Sequence, residues 1–214
     1  MRKSVVLICG IFLATGLWAQ ELKTVELNPP DKDRGLPVMK ALSLRASASE
    51  WDTTSLSLQD LSDLLWAAIG VNRPEEGKRT APSALNAQDI DLYVFMKSGV
   101  YLYDSKEHLL EPVADGDFRK FVADRQQEVA STPVICVMVS DISRFRFGEE
   151  DQKLTWAAMD AGTVSQNIGL FCAGTGLATR PRANMDQQKL REILQLKESQ
   201  HLMLNNPVSY RNPN

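Results

Sequence analysis

Apolar residues recur along the chain with helical and with strand spacing, so both kinds of element are predicted. The clearest helix is predicted over residues 57–69, where leucine, alanine and isoleucine return every three or four positions. Ser57 is the predicted N-cap, with Asp60 three residues later, and Gly70 is the predicted stop. A shorter helix is predicted over residues 37–44.

Three more helices are predicted further along the chain. Amphipathic spacing indicates residues 117–130 and 186–196, the second with Asp186 as its N-cap. Residues 156–173 (WAAMDAGTVSQNIGLFCA) carry small or apolar residues around almost the whole helix, which is typical of a buried helix. Two interpretations of it stay open: the central helix of a monomer, or a helix packed in a dimer interface.

The remaining apolar segments indicate strands. Strands are predicted at residues 91–97, 100–103, 133–139, after the glycines at 174–176, and at 201–205. Ser98-Gly99 is a two-residue hairpin signal, and the run PVICVMV at 133–139 predicts a strand covered on both faces. Residues 71–83 are polar and predicted to be a loop. Strands scattered among helices without a strict βαβ rhythm indicate the α+β class.

The first residues have the pattern of a secretory signal. A short basic start precedes an uncharged apolar run at 5–18, and charge returns at Glu21. We therefore expect residues 1–20 to direct export, to the periplasm, with cleavage after Ala19 or Gln20. An uncleaved anchor and a lipoprotein attached through Cys9 are the alternatives. Residues 21–36 are polar and predict an extended arm.

Charge and cysteine content narrow the function classes. The formal net charge is −3 at pH 7 with no run of lysine or arginine, which argues against a nucleic-acid-binding protein. Cys136 and Cys172 lie in apolar contexts and are expected to be buried thiols, although a disulfide between them stays open. No cysteine or histidine spacing resembles a zinc site. His108 and His201 are expected to have structural roles.

Three segments carry candidate chemistry. Arg45, Ser47 and Ser49 alternate, so in an extended segment they share a face that offers one guanidinium and two hydroxyls to a phosphate. The segment 79–88 offers polar side chains in a turn that leads into a strand. The third is the loop 180–184. It follows the glycines at 174–176, where the preceding helix is predicted to end, and a short predicted strand. A polar strand edge and a capped loop are the structural alternatives for the first two.

In this order the segments resemble the nitroreductase superfamily, in particular its short dehydrogenase branch related to azoline oxidases. The resemblance covers residues 37–210. The first matching motifs are the segment Arg45–Trp51 and the sequence Leu-Leu-Trp-Ala-Ala at 64–68. The next is Arg-Thr-x-Pro-Ser followed by a small residue at 79–84, with Asn86 and Gln88 after it. The last are Ala161-Gly162 with Gln166-Asn167, and Gly-x-Gly-Leu-x-Thr at 174–179.

The resemblance implies a nitroreductase-like fold over residues 37–214, with a central, mostly antiparallel sheet flanked by helices. It further implies a domain-swapped type of homodimer, joined through the 156–173 helix, that holds FMN between its subunits. Arg45, Ala46, Ser47 and Ser49 would lie at the phosphate, with Arg211 as the nearby basic residue of the C-terminus. Pro82, Ser83, Ala84, Asn86 and Gln88 would reach the flavin of the partner chain. Ala183 and Asn184 would lie by the reactive edge of the ring.

The same resemblance implies an oxidoreductase without a catalytic side chain, because the flavin carries the redox chemistry. Hydride would pass from NAD(P)H through flavin N5 to a nitro, quinone or related acceptor by a ping-pong mechanism. Ala46 and Ser49 replace residues that are usually basic in the family, so Arg45 is expected to be the main phosphate anchor. The alternatives are a flavin dehydrogenase or dehalogenase with another electron donor, and a non-catalytic protein that binds a flavin or another planar ligand.

Overall fold

The computed structural model describes residues 22–211. The predicted signal at 1–20 lies outside the described residues. Within 22–211, no helix has the length and apolar character needed to span a bilayer.

Seven strands form one sheet that is antiparallel at every pairing. Together with a two-stranded hairpin, the described residues contain nine strands: β1 (Val25–Glu26), β2 (Val71–Arg73), β3 (Lys78–Arg79), β4 (Ile90–Met96), β5 (Gly99–Asp104), β6 (Leu109–Asp115), β7 (Val134–Asp141), β8 (Leu177–Thr179) and β9 (Gln200–Tyr210). The sheet order is β1-β6-β5-β4-β7-β9-β8, and β2 and β3 form a separate hairpin. The predicted α+β class and antiparallel sheet are confirmed.

Within residues 22–211, five α-helices surround the sheet, and the first of them packs on the fourth. They are α1 (Val38–Leu44), α2 (Leu58–Ile69), α3 (Arg119–Ala123), α4 (Glu150–Thr175) and α5 (Gln187–Leu194). Helices α2 and α4 pack on one face, where Leu64 and Ile168 meet Cys136 of β7. Helices α3 and α5 pack on the other, where Leu190 meets Val137. Strand β7 is therefore apolar from Val134 to Val139 because both of its faces are covered, as the sequence predicts.

Several local predictions are confirmed in detail. The Ser57 hydroxyl accepts a hydrogen bond from Asp60 N at the start of α2. The β4–β5 hairpin closes with Met96 opposite Gly99. Asp186 caps α5 by accepting from Lys189 N. Helix α4 ends at Gly176, whose φ of 80° is the left-handed conformation that glycine adopts without strain.

The predicted helix over 117–130 is wrong. Only α3 is helical, Asp124 adopts a φ of 50°, and a 3₁₀ segment follows at Gln127–Ser131. A tertiary contact ends the helix. The buried guanidinium of Arg182 donates hydrogen bonds to the carbonyl oxygens of Val122 and Ala123 at the end of α3. The local spacing of apolar residues contains no sign of that arginine.

The strands that the sequence missed contain polar residues or proline. Residues 71–83, predicted to be a loop, include the short β2–β3 hairpin. Strand β6 contains Pro112, which is tolerated because β1 pairs only with its first two residues and leaves the rest of that edge free. Strand β9 runs well beyond the predicted 201–205 because buried Asn205 and Asn206 satisfy their side chains within the fold.

Both cysteines within the described residues are free and buried. Burial raises the pKa of the Cys136 thiol to about 12, so this thiol stays protonated and inert at neutral pH. The segment before α1 is held on the surface, where Arg34 pairs with Asp60 and Asp63 of α2. His108 takes a structural role there, since its Nε2 lies 2.9 Å from Asn28 O and its Nδ1 lies 2.8 Å from the Tyr103 hydroxyl.

Leu64→Ala tests the core between α2 and the sheet. Leu64 is fully buried, so we expect the free energy of unfolding to fall by about 2–5 kcal/mol, measured by urea denaturation. Val113→Ala removes carbon atoms from a side chain exposed on β6 and should cost less than about 1 kcal/mol. Equal losses for the two variants would contradict this account of the core.

Candidate functional site

The predicted phosphate residues gather beside β8. Ala48 N donates to Thr179 O at 3.0 Å, and Ser47 forms a parallel bridge with Thr179, so the segment that begins at Arg45 lies against this strand. Arg211 N donates to Gly176 O at 3.1 Å, which brings the other predicted cation to the same place. The five predicted residues of this group are all exposed: Arg45, Ala46, Ser47, Ser49 and Arg211.

A shallow cavity of about 240 Å³ opens there. It is lined by Leu44, Ala46, Ser47, Ala48, Ser49, Glu50, Ala178 and Arg211. The alanines leave room for a ligand, and the serine hydroxyls and backbone offer hydrogen-bond donors. Two arginines, Arg45 and Arg211, outweigh Glu50 in charge, which suits an anionic group such as a phosphate.

The second predicted group lies on the N-terminal half of α4. Ala84 N donates to both carboxyl oxygens of Asp160, at 2.8 and 3.0 Å, and the Thr163 hydroxyl donates to Pro82 O at 3.3 Å. Gln88 N donates to the Ser83 hydroxyl at 2.8 Å. These contacts hold residues 82–88, which we call the α4 loop, against the helix.

The α4 loop has a strained backbone. Leu85, Asn86 and Gln88 adopt φ angles of 55°, 53° and 49°, in the left-handed region that residues other than glycine rarely enter. Such residues cost on the order of 1 kcal/mol each and persist only where surrounding contacts impose them. The side chains of Pro82, Leu85 and Asn86 are nevertheless exposed. The loop is therefore built to present a fixed backbone at the surface.

The Asp160 carboxyl group, which accepts the hydrogen bonds from Ala84 N of the α4 loop, is itself buried. Only 5% of the surface of Asp160 is exposed, and its carboxyl group lies within hydrogen-bonding reach of that of Asp89, which is fully buried. Burial, together with the neighbouring Asp89, raises the pKa of Asp160 to about 7. The Ser140 hydroxyl donates to the other side of Asp89.

The third predicted group, Ala183 and Asn184, lies in the exposed loop after β8. It is anchored by Arg182, which is 6% exposed and donates to Val122 O, Ala123 O and Asn205 Oδ1. Asn184 Nδ2 donates to Asp124 Oδ2 at 2.9 Å. This loop follows directly from Thr179, the β8 residue that pairs with Ser47 of the first group.

The structure therefore places the first group near the C-terminal end of α4, with the third group following from β8, and places the second group near the middle of the helix. Asp160 and Gly174 are separated by fourteen helical residues, or about 20 Å at 1.5 Å per residue. Within one chain, the α4 loop is thus remote from the arginines.

Sequence reasoning missed Asp89, Asp160 and Arg182. One signal was available, since Asp160 is the single charged residue in the otherwise uncharged stretch 156–173. A lone acid on a buried helix is rarely without a partner. Asp89 and Arg182 carry no comparable local signal, because their partners come from distant segments.

Comparison with known proteins agrees with this geometry. The model of the nitroreductase family matches residues 42–210. The chain belongs to the nitroreductase family. It is an enzyme of a family of oxidoreductases, which confirms the resemblance seen in the sequence.

Similar proteins include other nitroreductase family members. A candidate nitroreductase of Methanocaldococcus jannaschii is 28% identical over 190 residues, which cover 85% of this chain and 95% of that protein. The crystal structure of a candidate nitroreductase of Ralstonia eutropha superposes with a TM-score of 0.82 at 33% identity, over 89% of this chain and 90% of that chain. A chain of the Escherichia coli microcin synthetase complex shares the fold, with a TM-score of 0.70 at 17% identity, over 97% of this chain and 85% of that chain.

Arg182→Lys tests the anchor of the 183–184 loop in this nitroreductase family member. Lysine keeps the positive charge, but its single ammonium group cannot donate to all of the acceptors that the forked guanidinium of Arg182 contacts. We therefore expect the free energy of unfolding to fall by about 2–4 kcal/mol. The measurement is urea denaturation. Arg125→Lys is the control, because the Arg125 side chain is 91% exposed and the substitution should change little. Unchanged stability in Arg182→Lys would contradict the role of the buried guanidinium.

Proposed function

We propose that this enzyme is a homodimeric FMN-dependent oxidoreductase that uses NAD(P)H to reduce a nitro, quinone or related acceptor. The observation that carries the proposal is the division of the site between the middle and the C-terminal end of α4, combined with a face of that helix that no other part of the described chain covers. We propose in addition that the protein is exported to the periplasm, as residues 1–20 indicate.

The bare face of α4 favours a second copy as its partner. Gly162 and Gly169 meet no atom within 4 Å of the place where a Cβ would stand, and Met159 beside them is 62% exposed. Helix α1 packs against α4 and is also exposed on its outer side. Five of the ten exposed large apolar residues of the described chain lie at 36–44: Leu36, Val38, Met39, Leu42 and Leu44. An apolar surface of this kind is typical of an interface.

A two-fold axis near the middle of the bare face would complete the site. Gly162 and Gly169 flank Gln166, and this midpoint lies about halfway between Asp160 and Gly174. Antiparallel packing of two α4 helices there would set the α4 loop of one chain beside the arginines of the other. Two equivalent sites would result, each with contributions from both chains.

The residues of the first group fit the phosphate end of FMN. The cavity beside β8 is lined by alanines, serine hydroxyls and Arg211, and Arg45 lies in the chain between the lining residues Leu44 and Ala46. A phosphate of two negative charges is bound in proteins by such charge-assisted hydrogen bonds. Arg45 would be the main anchor, as the replacement of neighbouring basic positions by Ala46 and Ser49 implies.

The other residues would orient the cofactor rather than react. When bound, FMN supplies the redox chemistry between NAD(P)H and the acceptor. The 183–184 loop, fixed by Arg182, would offer backbone groups to one edge of the ring. The strained α4 loop of the partner chain would cover another part of it through the Pro82–Ala84 backbone and Asn86. The proposal therefore assigns no proton transfer to a side chain.

Arg45→Ala tests the phosphate anchor. The loss of one charged hydrogen bond is worth about 1.5–3 kcal/mol, so we expect FMN to bind about tenfold to a hundredfold more weakly. Quenching of flavin fluorescence during titration of the apoprotein gives the affinity. Lys189→Ala is the matched control, because it removes an exposed cation on α5. Unchanged FMN occupancy in Arg45→Ala would reject the anchor, and no FMN uptake by the unaltered protein would reject the cofactor.

Gly162→Leu tests the interface. In a single chain the new side chain meets open space and leucine favours a helix more than glycine does, so folding should be retained. In the proposed dimer it would separate the two helices, and light scattering after gel filtration should show a monomer with weakened FMN binding. Gln188→Leu on exposed α5 controls for added surface hydrophobicity. A monomeric unaltered protein, or a variant that dimerises equally well, contradicts the interface.

A further inference from the structure

Two buried carboxyl groups lie beneath the α4 loop, and the proposed chemistry does not use them. Asp89 Oδ2 accepts from the Ser140 hydroxyl, whereas the buried Oδ1 has no N–H or hydroxyl donor among residues 22–211. The neighbouring carboxyl of Asp160 is the group in hydrogen-bond contact with Asp89. A proton on Asp160 would supply the donor that Asp89 lacks, and without it two buried negative charges would face each other.

The same Asp160 carboxyl is the main polar contact between α4 and the α4 loop. Its oxygens accept from Ala84 N, directly before the left-handed residues Leu85 and Asn86. Two further contacts, from Thr163 to Pro82 O and from Gln88 N to Ser83, hold the neighbouring backbone. A strained loop keeps its shape only while such contacts are intact. Any shift of the Asp160 carboxyl is therefore passed to the loop.

The surrounding charges do not neutralise the pair. Arg79, on β3, donates to Ile90 O. Arg144, which follows β7, donates to Gln88 O and to the Asp91 carboxylate. On β9, His201 pairs in register with Ser140, and its Nε2 is buried without a hydrogen-bond partner among the described residues. On α4 itself, the groups near Asp160 are the uncharged Thr163 and Trp156. Asp89 is therefore the charged group that acts on Asp160.

We propose that Asp160 is a positioning residue, which shares one proton with Asp89 and thereby holds the α4 loop in the shape that binds FMN. Loss of that proton with rising pH separates the two carboxylates, releases the loop and weakens FMN binding. The FMN part of this inference rests on the proposed function. The proton-dependent attachment of the loop does not, because it concerns contacts within one chain.

The sign of the pH effect follows from the direction of the pKa shift. Burial and Asp89 raise the pKa of Asp160 to about 7, above that of an aspartate in the unfolded chain. Between about pH 4 and pH 7 the folded chain therefore keeps a proton that the unfolded chain has lost. The contribution of Asp160 to stability is full below this window and is lost as pH rises through it.

Asp160→Asn separates this role from a merely structural one. The asparagine oxygen still accepts from Ala84 N, and its amide donates to Asp89 without a titrating proton. In the unaltered protein we expect FMN affinity to fall about fivefold from about pH 6 to about pH 8, which corresponds to an Asp160 pKa about one unit higher with FMN than without. Asp160→Asn should bind FMN as the unaltered protein does at low pH, with a flat profile over the same range.

A second measurement needs no flavin. Urea denaturation of the apoprotein from about pH 5 to about pH 8 should show Asp160→Asn gaining stability relative to the unaltered protein as pH rises. Because this readout is independent of FMN, it still decides the proton-sharing pair if no flavin binds. Glu198→Gln removes an exposed acid on the segment before β9. Its FMN affinity and its stability should change with pH as those of the unaltered protein do.

His201 requires its own variant, because histidine as a residue type changes charge between pH 5 and 8. His201→Gln should retain the pH dependence of FMN affinity and of stability. A profile that is lost in His201→Gln but kept in Asp160→Asn would overturn the proposal. So would profiles of the unaltered protein and Asp160→Asn that run parallel in both measurements.

Discussion

The packing of α4 against the sheet is the contact on which the rest of the structure depends. One side of this 26-residue helix covers the central strands, with Ala161, Val164 and Ile168 in the core. The helix carries the surface segments of the candidate site, with the α4 loop near its middle and the residues beside β8 at its C-terminal end. Because the helix is rigid, it holds these segments at a set separation, and one chain alone leaves the site divided.

The other side of α4 gives this division a functional meaning. A helix that packs its small residues outward leaves a surface that an identical helix can approach closely. The exposed apolar side chains of α1 extend that surface. Family membership favours a flavin enzyme, and the separation of the two segments along α4 is the reason that we propose two copies for each site.

Buried polar groups connect the core to the site in two places. Arg182 ties the loop after β8 to the end of α3, and Asp160 ties the α4 loop to the helix and to Asp89. Both act on backbone rather than on a ligand. An enzyme whose cofactor carries the reaction needs rigid, correctly placed backbone more than it needs reactive side chains. The strain in the α4 loop agrees with that requirement.

The sequence by itself determined the elements whose signals are local. The capped helix at Ser57, the Ser98-Gly99 hairpin, the doubly covered β7 and the family motifs all follow from residues close together in the chain. Only the tertiary structure decided the break after α3, the full length of β9 and the pairing of Asp89 with Asp160. In each of these, a distant polar side chain satisfies a backbone, side-chain amide or carboxyl group, and hydrogen bonds between distant segments leave no periodic pattern in the sequence.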